Sequence, residues 1–79
     1  CDAVIDTSAW TVPHEFTVLQ RAGDVSREEM FRTFNMGVGM VVITDARSAD
    51  AVMSSARAAG VEAWLTGRVV RGSGSVILE

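Results

Sequence analysis

Apolar and polar positions alternate along this chain in blocks that predict short elements. Ala3, Val4 and Ile5 form an apolar run ended by Asp6, Thr7 and Ser8, the pattern of a brief strand followed by a turn. Val12, Phe16 and Leu19 then recur at helical spacing. Pro13 suits the first turn of that helix, Thr11 is a plausible cap before it, and Gly23 is placed to end it in a left-handed conformation. Ser26 followed three residues later by Glu29 is a capping-box pattern, so a second, shorter helix is expected with Met30, Phe31 and Phe34 on its buried side.

Residues 35–39 make a small-residue turn into Met40, Val41, Val42 and Ile43, a largely β-branched run that predicts a strand buried on both faces. Ser48 is expected to open a third helix, with Ala49, Val52, Met53 and Ala56 on one face and Gly60 closing it. Residues 63–70 and 75–78 read as two further strands joined by a glycine turn over residues 71–75, the most hairpin-like element of the chain. The predicted order is β-α-α-β-α-β-β. That is an α+β fold, a mixed β-sheet with helices packed on one face. No repeat or low-complexity tract divides the chain, so residues 1–79 are expected to form a single domain.

Size changes this picture. A lone core in 79 residues usually ends near zero net stability unless a disulfide, a metal or a partner helps. Cys1 is the single cysteine and His14 the single histidine, so neither an internal disulfide nor a zinc cluster is available. Extra stability is therefore expected from a partner surface or from further chain. The formal net charge of −3 disfavours nucleic acid and anionic membranes as partners. The longest apolar stretch, residues 36–43, is far short of the ~20 residues a membrane helix requires. The start of the chain has neither the basic segment nor the apolar core of a secretory signal and does not begin with methionine. The expectation is a cytoplasmic protein whose own beginning lies elsewhere.

The most unusual local feature is Asn35-Met36-Gly37-Val38-Gly39. Two glycines one residue apart let backbone approach a ligand closely, which invites a phosphate-loop reading. A helix precedes these glycines and a strand is expected after them, the reverse of a dinucleotide fingerprint, so Gly37 and Gly39 can equally serve the turn alone. Arg32, Thr33 and Asn35 beside the turn offer a guanidinium, a hydroxyl and an amide that could hold an anionic or amide-bearing ligand. The same residues also suit a helix end, where a cation opposes the helix dipole and short polar side chains satisfy backbone groups. Glu28 and Glu29 belong to a helix start rather than to a catalytic pair. His14 is expected on the surface, Trp10 and Trp64 as packing anchors, and Met30, Met36, Met40 and Met53 as packing residues.

These residues carry a resemblance that covers nearly the whole chain. Val4-Ile5-Asp6, Trp10, Pro13, Phe16, Leu19-Gln20, Gly23 and Met30 lead into the specific segment Arg32-Thr33-Phe34-Asn35-Met36-Gly37-Val38-Gly39-Met40. A weaker continuation runs through Asp50, Gly60-Val61-Glu62-Ala63-Trp64 and Leu65-Thr66-Gly67. The pattern resembles the phosphoribosylformylglycinamidine cyclo-ligase (aminoimidazole ribonucleotide synthetase) family, in its C-terminal domain. The resemblance implies a ligase of purine biosynthesis that uses ATP and Mg2+ to close the imidazole ring of formylglycinamidine ribonucleotide. It also implies a homodimer of two-domain subunits. The lysine-bearing and acidic motifs that hold nucleotide and metal in that family lie upstream of this chain. Residues 1–79 are thus expected to be part of the C-terminal α/β domain of a larger enzyme, with the remaining chain as partner and no activity of their own. Arg32, Thr33, Asn35 and Gly37 are carried over as candidate substrate-binding residues, with no catalytic or metal residue among the 79. Glu15 departs from the family, which would place an aliphatic residue before Phe16. A reading from a different class is a non-catalytic regulatory or oligomerisation module that uses an exposed hairpin edge.

Overall fold

The computed structural model describes all of residues 1–79. Its elements are strand β1 (Asp2–Ile5), helices α1 (His14–Gly23), α2 (Arg27–Thr33) and α3 (Ala49–Ala58), and strands β2 (Gly67–Val70) and β3 (Val76–Leu78). Three helices and one mixed three-stranded sheet make an α+β fold, as the pattern predicts. The chain forms two compact units, one of Cys1–Trp10 with Thr44–Glu79 and the other of Thr11–Ile43.

In the first unit, β1 is the middle strand, antiparallel to β2 and parallel to β3. Its Val4 is buried and pairs with Arg68 on one side and Ile77 on the other. This corrects the predicted hairpin, because β2 and β3 do not pair with each other. The cause is Asp2: one oxygen of its carboxylate accepts the backbone N–H groups of Ser73, Gly74 and Ser75 at 2.8–2.9 Å. Ala3 N–H also donates to the Ser75 carbonyl. These bonds hold the 71–75 loop at the start of β1, and β1 takes the place between the two strands. The expected strand over residues 63–70 is also shorter, starting at Gly67. The paired register begins with Ile5 opposite Gly67, and just before it the Thr66 carbonyl accepts the Asp6 N–H at 2.7 Å. Gly67 is required there, since an added Cβ would lie 2.1 Å from the Val4 carbonyl oxygen.

Helix α3 forms as its spacing predicts. Ala49, Val52, Met53 and Ala56 are each partly buried on one face. Gly60, at φ +81°, ends the helix, with Gly60 N–H donating to the Arg57 carbonyl and Val61 N–H to that of Ala56. Trp10 and Trp64 pack with ring centroids 6.2 Å apart, which bears out their reading as packing anchors.

In the second unit the core is Met30, fully buried, and Met36. Phe16 of α1 packs on Phe34 at 5.8 Å. Two helix-end expectations are corrected here. Pro13, not Thr11, precedes the first helical residue, because its extended ψ of 141° places it just outside the helix. Asp24, not Gly23, takes the left-handed conformation at φ 50°, and Val25 N–H closes on the Gln20 carbonyl.

The largest correction concerns Met40, Val41, Val42 and Ile43. They form no strand and are 82%, 58%, 59% and 73% exposed. The observed order is therefore β-α-α-α-β-β. A strand exists only by pairing, and the sheet consists of β1, β2 and β3.

Candidate functional site

The site the sequence singles out is the end of α2 and the turn after it. Ser26 caps the helix start, its hydroxyl accepting the Glu29 N–H at 3.2 Å, so the first half of the predicted capping box is present. Eight residues after Ser26, Phe34 N–H still donates to the Met30 carbonyl, but Phe34 itself is extended at φ −118° and ψ 154° and ends the helix. The chain then reverses over residues 35–38, where Val38 N–H donates to the Asn35 carbonyl at 3.0 Å.

Both central residues of that turn have positive φ, 53° for Met36 and 95° for Gly37. The two solve the problem differently. Gly37 has no Cβ to clash. Met36 is held by burial of its side chain, which offsets the cost of the left-handed backbone. Asn35 Oδ1 accepts the Gly37 N–H at 2.9 Å, so its side chain braces the turn from inside.

Arg32 and Thr33 meet on Glu29, a residue expected to serve the helix start. The Glu29 carboxylate accepts the Thr33 hydroxyl at 3.2 Å through one oxygen and lies 3.7 Å from the Arg32 guanidinium through the other. The signal was present in the spacing, since Arg32 and Thr33 stand three and four residues after Glu29 and therefore on its face of the helix. Arg32 remains 81% exposed, so this ion pair is a weak tether that leaves the cation in water.

Arg32, Thr33, Asn35 and Gly37 are all exposed at the surface. Arg32 and Thr33 are brought together by Glu29, and Asn35 and Gly37 by the turn. Together they present a guanidinium, a hydroxyl and the two amide donors of Asn35. Such a set can hold an anionic or carbonyl-bearing ligand; it contains no nucleophile and no acid–base pair.

Pro13, expected at the start of α1, also closes the turn from beneath. An added Cβ at Gly37 would meet the Pro13 ring at 2.6 Å and 2.9 Å. No local signal could have revealed this contact, because it joins residues 24 positions apart in the printed sequence.

Nowhere do three or more His, Cys, Asp or Glu side chains come together in a way that could hold a metal ion. All seven basic residues are arginines, so no lysine is available to grip a phosphate. No helix is long and apolar enough to cross a membrane.

Comparison with known proteins places these features in a family. The family model described as AIR synthase related protein, C-terminal domain, matches residues 1–79. The chain is 42% identical over 76 residues to the phosphoribosylformylglycinamidine cyclo-ligase of Thermoanaerobacter sp. (strain X514), covering 96% of this chain and 23% of that protein. It is 45% identical over 69 residues to the enzyme of the same name from Trichlorobacter lovleyi, covering 87% of this chain and 20% of that protein. The corresponding protein of Caldanaerobacter subterraneus is 41% identical over 76 residues. The chain thus spans less than a quarter of the length of the relatives it matches. A match along every residue, joined to relatives above 40% identity, shows that this chain belongs to the C-terminal-domain family of AIR synthase related proteins.

Proposed function

We propose that residues 1–79 are part of the C-terminal domain of an ATP-dependent cyclo-ligase that converts formylglycinamidine ribonucleotide to aminoimidazole ribonucleotide in purine biosynthesis. The observation that carries this reading is the agreement, across nearly the whole chain, with relatives named phosphoribosylformylglycinamidine cyclo-ligase. In such a reaction ATP activates the formyl oxygen, the amidine nitrogen attacks the formyl carbon, and ADP and phosphate leave. On this reading ATP and Mg2+ are held by residues outside this chain. The enzyme is a cytoplasmic homodimer.

The part of this chain in the reaction is to line the substrate side of the cleft. Arg32, exposed and only loosely tethered, offers charge to an anionic group of the substrate. Thr33 and the amide of Asn35 offer hydrogen bonds, and Gly37, packed on Pro13, holds the turn that presents them. The test is ATP consumption by the full-length protein with and without formylglycinamidine ribonucleotide. ATP should be consumed only when that substrate is present; consumption that ignores the substrate overturns the assignment.

A further inference from the structure

We propose that Glu29 is a positioning residue of the substrate site, and that it makes Thr33 an acceptor for an N–H group of the substrate. This inference rests on the reading of Arg32, Thr33 and Asn35 as substrate-lining residues, and adds the polarity with which they meet the ligand.

The geometry is local to α2 and its cap. It is the backbone N–H of Glu29 that donates to the Ser26 hydroxyl, at 3.2 Å. The carboxylate is turned along the helix to the residues three and four positions on, which share its face. One oxygen accepts the Thr33 hydroxyl at 3.2 Å, and the other lies 3.7 Å from the Arg32 guanidinium, a weaker tether.

The protons decide what is left for a ligand. An ionised carboxylate only accepts, and a hydroxyl has a single proton to give. With that proton on Glu29, the Thr33 oxygen keeps its lone pairs and has nothing to donate. A charged acceptor also holds such a proton better than a neutral ligand group does. Asn35 is set the opposite way, because its Oδ1 already accepts the Gly37 N–H at 2.9 Å and its amide nitrogen is left to donate. Threonine and asparagine are each ambivalent by type; here each has one polarity. A phosphate oxygen only accepts and does not suit Thr33, whereas an amide or amidine N–H does. Formylglycinamidine ribonucleotide carries such groups at the end where the ring closes, and Thr33 is assigned to that end.

Steady-state kinetics of the full-length protein test this. Glu29→Gln keeps the backbone bond to Ser26 and the side-chain length, but can present an amide N–H to Thr33, so the hydroxyl proton is no longer fixed. It should raise KM for the ribonucleotide about 3- to 10-fold, with kcat and Tm near wild type, as loss of one hydrogen bond in binding predicts. Thr33→Val should raise KM similarly, and Thr33→Ser, which keeps the hydroxyl, should stay near wild type. The double variant Glu29→Gln/Thr33→Val should raise KM by clearly less than the product of the single effects, because Glu29 acts through Thr33. Effects that multiply overturn the proposal. So does a wild-type KM for Glu29→Gln, or a KM rise in that variant accompanied by a Tm lower by several degrees. Wild-type KM in both Thr33→Val and Arg32→Ala removes the substrate site itself and this inference with it; a rise in those two without one in Glu29→Gln removes the inference alone.

Discussion

Gly37 packs so closely on Pro13 that a Cβ added at position 37 would lie 2.6 Å from the proline Cδ. The contact joins the residue before α1 to the turn after α2, and with φ at 95° it makes position 37 doubly intolerant of a side chain. Gly37→Ala should lose roughly 1–2 kcal/mol from the left-handed backbone alone, with a further loss from displacing the ring. Gly39→Ala is the matched control, because nothing lies within 4 Å of a Cβ there and its φ is not in the left-handed region. Thermal melts of the two variants check this: a clear drop for position 37 and little change for position 39. Equal Tm values would show that the turn does not have this geometry.

Asn35 is expected to have two separable jobs. Its Oδ1 braces the turn by accepting the Gly37 N–H, and its amide nitrogen supplies the donors proposed for a ligand. Asn35→Ala should lose both, lowering stability by about 1 kcal/mol and raising KM for the ribonucleotide severalfold, as loss of one hydrogen bond predicts. Asn35→Asp keeps an acceptor for the turn but replaces the donors with a negative charge. It should leave Tm near wild type while raising KM at least as much. Wild-type kinetics in both variants would confine Asn35 to the turn.

Three carboxylates make acid stability predictable in sign. The amides of Ser75, Ser73 and Gly74 hold the Asp2 carboxyl below its ordinary pKa. The hydroxyl and then the amide of Ser8 do the same for Asp6, as do the hydroxyl and amide of Ser48 for Asp45. A carboxylate whose folded pKa is depressed binds fewer protons folded than unfolded. Its stabilisation is therefore present above the unfolded value and lost as pH falls through the folded one. Stability should accordingly decline below about pH 4. Asp2→Asn should be less stable than wild type at pH 6, and the gap should narrow toward pH 2.5. Melting curves that stay parallel across this range would remove Asp2 from the acid response.

What the sequence alone determined are features governed by neighbours within a turn or two. The break after Ile5, the Ser26 cap on Glu29, the apolar face of α3 and its end at Gly60 all follow from short spacings. The turn at residues 35–39 was legible in part, since Gly37 supplies one of its two positive-φ positions and Asn35 its brace, whereas the positive φ of Met36 is held by burial of its side chain. Tertiary structure alone decided that β1 lies between β2 and β3, since the bonds that place it there join Asp2 to residues 71–73 positions away. It likewise decided that Pro13 underlies Gly37, and that residues 40–43 stand open rather than buried. Hydrophobic pattern reports what a segment is suited to bury. Whether it is buried depends on partners whose distance along the chain the pattern does not encode.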